Sequence, residues 1–255
     1  MSIWAERRKQ AIIWVIILII FVVISLAAWS VFHKPPTCND GRRNQDEQGI
    51  DCGGVCSLMC KNNVLDPVIL WQRFFKVSEG VYTAATMIQN PNLYSYAANV
   101  PYRIRVYDED GVTIFDREGY MDIYPKYSFP LIEPGIRTGE RTPTRMTFEF
   151  TQDPVWYRSS EHVEGAIDGL SIINDVILNE VTSPRIDSEI RNDTNAVRQE
   201  IKVAALVYDP EGNVMAVSQT VVDTIPPHGS SRVIFSWPEP FPYPILKKEL
   251  IILPY

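Results

Sequence analysis

The chain has 255 residues, 45% of them hydrophobic and 22% charged, a composition that excludes a disordered or low-complexity polymer and suffices for an anchor plus two domains of roughly 100 residues. Its formal net charge is −7, with 24 Lys and Arg against 31 Asp and Glu, so bulk electrostatics excludes attraction to nucleic acid or to an anionic lipid surface.

Residues 1–10 are read as a cytoplasmic tail and residues 11–32 as a transmembrane helix. The run AIIWVIILIIFVVISLAAWSVF holds no charge, Gly or Pro, and at 1.5 Å per residue it reaches roughly 33 Å, enough to cross a bilayer core. Glu6, Arg7, Arg8 and Lys9 precede it with a net +2, while His33 and Lys34 follow it, which places the N-terminus inside. A cleaved signal peptide is the rival reading, but its apolar region is ordinarily shorter and the stretch around Ala27 and Ala28 is a poor cleavage site. Setting aside residues 1–32 leaves −9 for the exported remainder.

Residues 33–62 are read as a Cys-rich stalk opening on Pro35-Pro36. All four cysteines, Cys38, Cys52, Cys56 and Cys60, fall here, and in an exported chain they imply two disulfides among three available pairings. Between them stand Asp40, Asn44, Asp46, Glu47 and Asp51, with glycines at 41, 49, 53 and 54. Oxygen-rich loops with glycine turns wrap Ca²⁺, which makes these five the candidate calcium ligands; the alternative is that they solvate a stapled loop. The spacing C-x13-C-x3-C-x3-C is not that of paired zinc knuckles. This stretch resembles a small Cys-rich module of bacterial surface proteins, C-x-D-G-x-x-N-x-x-E-x-x-x-D-C-G-G-x-C-x-x-C. The matching residues are Cys38, Asp40, Gly41, Asn44, Glu47, Asp51, Cys52, Gly53, Gly54 and Cys56. Cys60 departs from the pattern by one extra residue, so the family's pairing does not transfer directly.

From Val64 onward short β-branched and aromatic runs alternate with turn residues, the pattern of a sandwich. Two tandem antiparallel β-sandwiches are expected, 63–151 and 163–255, joined by a linker near 151–163. In the first, Val100, Tyr102, Ile104 and Val106 form an inward row against Arg103 and Arg105, and Asp110-Gly111 supplies the turn. In the second, Ile201, Val203, Ala205 and Val207 form the row and Pro210-Glu211-Gly212 the turn. Tyr208-Asp209 repeats Tyr107-Asp108 at an offset of 101, and Ile190-Arg-Asn192 repeats Ile88-Gln-Asn90 at 102, the mark of an internal duplication. Each unit is expected to continue with a Pro/Gly loop, from Ile132 and from Ile225, and then an alternating strand: Met146, Phe148, Phe150 and Val233, Phe235, Trp237. The units resemble FxLYD-type and late-embryogenesis-abundant-like immunoglobulin-like sandwiches. Ile104 or Ala205 stands at the Phe of that motif and Val106 or Val207 at its Leu. The resemblance implies an immunoglobulin-like fold.

No nucleophile elbow, P-loop, HExxH pair or dinucleotide fingerprint occurs, so the chain is read as non-enzymatic with no catalytic residues. His33, His162 and His228 are read as loop residues. Asp108, Asp110, Asp209 and Glu211 are read as turn formers. Tyr120, Tyr124, Tyr127 and Phe129 are weighed as a ligand-binding aromatic patch against core packing. Asn192-Asp193-Thr194 fits the glycosylation pattern but is read as a turn. The expected function is binding or scaffolding at a bacterial cell envelope, with the membrane and a protein partner there, and no nucleic acid. The alternatives are a subunit of a secretion, pilus or division complex, or a membrane-tethered hydrolase.

Overall fold

The computed structural model describes residues 3–32, 38–44, 46–159 and 167–254. The expectations resting on His33, Lys34, Pro35-Pro36, His162 and part of the 151–163 linker lie outside these residues. The chain divides into two compact units, Met1–Cys56 and Ser57–Tyr255.

In the first unit, α1 spans Ile3–Phe32. Its stretch Arg7–Ser30 is 24 residues long with none of its apolar window buried. Side chains from Ile12 to Trp29 are exposed on every side of the helix. A helix apolar all round needs an apolar surrounding, and nothing among the unit's described residues supplies one. The remainder of the unit is the Cys-rich loop.

The second unit starts by pairing across the chain: Arg158 N–H donates to Ser57 O at 2.7 Å and Met59 N–H to Trp156 O at 2.8 Å. A 3₁₀ turn, Lys61–Asn63, leads into thirteen strands among the described residues. They are β1 Val68–Ser78, β2 Val81–Gln89, β3 Ser95–Asp108, β4 Thr113–Ile123, β5 Ser128–Arg137, β6 Pro143–Phe150 and β7 Trp156–Arg158, followed by β8 Leu170–Leu178, β9 Arg185–Asn192, β10 Arg198–Tyr208, β11 Val214–Ile225, β12 Ser230–Ser236 and β13 Lys247–Leu253. Strand β7 falls in the stretch read as linker and pairs with the start of β3.

The sheets come in two pairs. The first is β1-β2-β5 facing β4-β3-β6, and the second is β8-β9-β12 facing β11-β10-β13. Apart from β7, each strand of the first has a counterpart seven strands later in the same place, and these pairings are all antiparallel. The inward rows sit where alternation puts them: Val100, Tyr102, Ile104 and Val106 are buried, as are Ile201, Val203, Ala205 and Val207.

Two sequence expectations are corrected. The outer face of β10 does not meet water, because Ala204 and Leu206 are fully buried in the same apolar cluster as Ile88, Ile104 and Phe148 of the first pair. Strand β11 lies against β1 and β5, and Arg73 Nη1 donates to Val214 O at 3.4 Å. The two pairs therefore stack, with β2 and β10 covered on both faces. In addition, the Ile132-Glu133-Pro134-Gly135 segment is not a loop but the middle of β5. Its pairing with β2 slips at Tyr82/Ala84, and this bulge absorbs an exposed Pro134 and a Gly135 at φ +72. By position in the sheets, the counterpart of Val233-Phe235 is thus β5, and β6 corresponds to β13.

Candidate functional site

The Cys-rich loop is fully oxidised. Cys38 bonds Cys56 with their Cα atoms 5.7 Å apart, Cys52 and Cys60 are likewise disulfide-bonded, and no free cysteine remains. The candidate calcium ligands bracket the loop. Asp51 accepts the Asp40 and Gly41 amides at 2.9 Å each through its two oxygens. Asp40 accepts Asn44 Nδ2 at 2.7 Å, and buried Glu47 accepts the Asn44 amide at 3.1 Å. Asn44 Oδ1 is buried without a hydrogen-bond partner among the described residues. Asp46 is exposed. One group of described residues brings three ligand-type atoms within 4.8 Å, Cys38, Glu47 and Cys56, but the disulfide consumes both sulfurs. Gly54 is obligatory at φ +60, since a Cβ there would lie 1.7 Å from Asp46 O.

The repeated motifs of the second unit do structural work. Asp108 Oδ1 accepts the Val112 amide at 2.8 Å and Asp209 Oδ1 the Asn213 amide at 2.8 Å, each closing the turn after a Tyr-Asp pair. Asn90 is buried and donates to Ser95 O and Tyr124 O. Asn192 is buried and donates to Ala196 O, Ile225 O and Pro226 O. Its amide is therefore spent inside the fold, which closes the glycosylation reading. His228, at φ +53, meets Asn195 Oδ1 at 2.8 Å in a loop.

A cavity of about 350 Å³ opens where the two sheet pairs stack. Its polar wall comes from β3, β4 and β5. Tyr102 Oη donates to Glu133 Oε1 at 2.6 Å, and Arg117 Nη1 donates to Glu133 Oε2 at 2.6 Å. Burial in this wall, reinforced by the bond to Glu133, pushes the Tyr102 phenol far above its ordinary value. The Tyr102 ring lies across Gly119, its partner in β4, and stacks on Phe148 at 5.7 Å; a Cβ on Gly119 would come within 2.5 Å of Tyr102 Oη. Asp122, Asn99 and Tyr120 form the rim, and Lys202 and Gln219 close it from the second pair.

The aromatic patch divides between its two readings: Tyr120 stands 74% exposed at the cavity, while Tyr124 and Phe129 are buried in its wall. Glu133, Arg117, Lys202 and Gln219 escape sequence reasoning because their proximity is created by strand pairing and stacking. The available clue was an acid inside the apolar run Phe129-Pro-Leu-Ile-Glu133.

No family model matches the chain, and no curated protein matches it. Solved structures do match. A β-glucuronidase of Bacteroides uniformis is 14% identical, with 62% of this chain and 21% of that chain covered at a TM-score of 0.20. A putative β-galactosidase from Bacteroides fragilis is 12% identical, with 69% and 33% covered at a TM-score of 0.20. The chain spans about a fifth to a third of these proteins' own lengths, and at such scores the likeness carries no argument about this chain.

Proposed function

We propose that this chain is a single-pass, non-enzymatic binding or scaffolding protein of a bacterial cell envelope. In this reading α1 is the anchor, residues 1–10 are cytoplasmic, and the oxidised stalk and β unit lie outside. The observation that carries it is α1 itself: some 36 Å of helix with apolar side chains exposed on all sides. Four oxidised cysteines directly after it support export. The two sheet pairs are read as copies of one immunoglobulin-like unit of FxLYD or late-embryogenesis-abundant type. Equal strand order, and equal duties for Asn90 and Asn192 and for Asp108 and Asp209, support that reading.

The test is labelling of intact spheroplasts with a membrane-impermeant, amine-reactive biotin. Exposed lysines such as Lys61 are expected to react without lysis, and intact mass of the recovered protein is expected to include residues 1–32. Labelling only after lysis removes the export claim, and a mature mass lacking the helix removes the anchor.

Calcium at the Cys-rich loop is a second reading, favoured by the buried, unpartnered Asn44 Oδ1. Calorimetric titration of the full chain with CaCl₂ tests it: heat that disappears in Asp51→Asn supports the site, and a flat titration ends it.

A further inference from the structure

We infer that the cavity between the stacked sheet pairs binds a small neutral carbohydrate, with Tyr120 as its stacking platform and Glu133 as its hydrogen-bonding anchor. The inference rests on the proposal that the two pairs are copies of one unit, because that reading separates what the framework needs from what one copy alone carries.

Register identifies the counterparts. Tyr102 corresponds to Val203 at the offset of 101 that aligns the Tyr-Asp pairs. Arg117 pairs with Ile104 as Ser218 pairs with Ala205, which makes Ser218 its counterpart. Glu133 pairs with Ala84 as Phe235 pairs with Ile186, so the place of the acid is taken in the other copy by a fully buried Phe235. The structural residues recur and the Tyr102–Glu133–Arg117 triad does not.

Glu133 is a buried carboxylate whose ion partner Arg117 is half-exposed; such polar groups can often be exchanged for well-packed apolar side chains without loss of stability, and the second copy folds with that exchange made. The first copy retains a carboxylate only 9% exposed, together with a glycine that makes room for the Tyr102 ring, and Glu133 and Tyr102 both line an open cavity. Retention of a costly polar group in a cavity wall, where an apolar alternative fits the same framework, points to recognition.

The chemistry of the wall selects the ligand. Two acids, Asp122 and Glu133, are balanced by two cations, Lys202 at the wall and Arg117 on Glu133, so neither an anion nor a cation is favoured overall. Asn99 and Gln219 each bring an amide able to donate and accept, which suits hydroxyls that do both. Tyr120 adds a flat apolar ring at the rim, suited to the C–H face of a pyranose. The volume of about 350 Å³ lies at the small end of ligand sites and fits a monosaccharide better than a long chain.

The experiment is saturation-transfer NMR with the full chain in nanodiscs, using glucose, galactose, mannose and N-acetylglucosamine, with glucuronate and choline as charged controls. Transfer to the ring protons of at least one neutral sugar is expected. It should weaken about tenfold or more in Glu133→Gln and in Tyr120→Ala, and survive in Tyr120→Phe. The triple variant Tyr102→Val, Arg117→Ser, Glu133→Phe, which installs the second copy's residues at all three places, should keep the wild-type Tm and lose the transfer. Silence from all four neutral sugars, response only to a charged control, or transfer unchanged in Tyr120→Ala would overturn the inference. None of these outcomes depends on which side of a membrane the protein faces, so the export claim stands or falls separately by surface labelling.

Discussion

Single side chains at equivalent places hold the turns of the β unit. Asn90 and Asn192 are both buried, and each donates to main-chain carbonyls at the ends of its strands. Replacement by Ala orphans buried carbonyls, Ser95 O and Tyr124 O in the first case and Ile225 O in the second, so each variant is expected to lose about 2–3 kcal/mol in denaturant unfolding. Equal losses support equal roles, whereas a neutral Asn192→Ala would show that the second corner is held by something else. Surface pairs act more weakly and depend on pH. The hydrogen bond from Arg103 holds the Asp116 carboxyl below its usual range, and bonds from Arg185 and then Arg232 do the same for Asp187. A lowered folded-state pKa contributes stability that is present above the ordinary carboxylate value near ~4 and is lost as pH falls through the lowered value. Tyr102 works in the opposite direction: its raised value contributes below the ordinary phenol pKa near ~10 and is lost as pH climbs through the raised one. The denaturation midpoint should therefore stay flat between these limits. The acid decline should become shallower when Arg103 and Arg232 are both changed to Gln; an unchanged slope would remove these pairs from the account.

At the level of elements, β5 shows how a sheet accommodates residues that look like a loop. Pro134 cannot donate to the ladder and Gly135 takes φ +72, but β5 is an edge strand and its bulge places both on the exposed side. A Cβ at Gly135 would touch nothing, so Gly135→Ala carries only a conformational cost, about 1 kcal/mol. A loss above roughly 3 kcal/mol would mean that the bulge is also a packing contact, since a purely conformational penalty does not reach that size. The outer face of β3 makes a contrasting point. Arg103 and Arg105 pair there with Asp116 and Glu149, whereas the matching positions in β10 are Ala204 and Leu206. Strand β10 is covered by another sheet and β3 is not, so the same place in the fold takes opposite chemistry.

For the β unit as a whole, stacking adds a shared apolar cluster, to which Leu206 of the second pair and Ile88 and Ile104 of the first all belong, while the second pair keeps a further cluster of its own around Val203 and Phe235. Truncating Leu206 to Ala should cost about 3 kcal/mol, and both pairs should respond to it. Unfolding followed through Trp71 and Trp156 in the first pair and Trp237 in the second is expected to give one coincident transition. Two separated transitions, with the first pair unaffected by Leu206→Ala, would restore the independent-domain picture.

The linear order of residues determined the apolar helix, the clustering of all four cysteines, the β-rich body and the inward rows of β3 and β10, because each follows from local composition or from period-two alternation. It also placed the repeating Asn and Tyr-Asp positions in register, since a turn is built from neighbours in the chain. Tertiary structure decided the Cys38–Cys56 pairing, the absorption of Pro134-Gly135 into β5, the burial of Ala204 and Leu206, and the cavity around Glu133. These depend on contacts between residues tens of positions apart, and alternation reports only that a face is apolar or polar, never which other face will cover it.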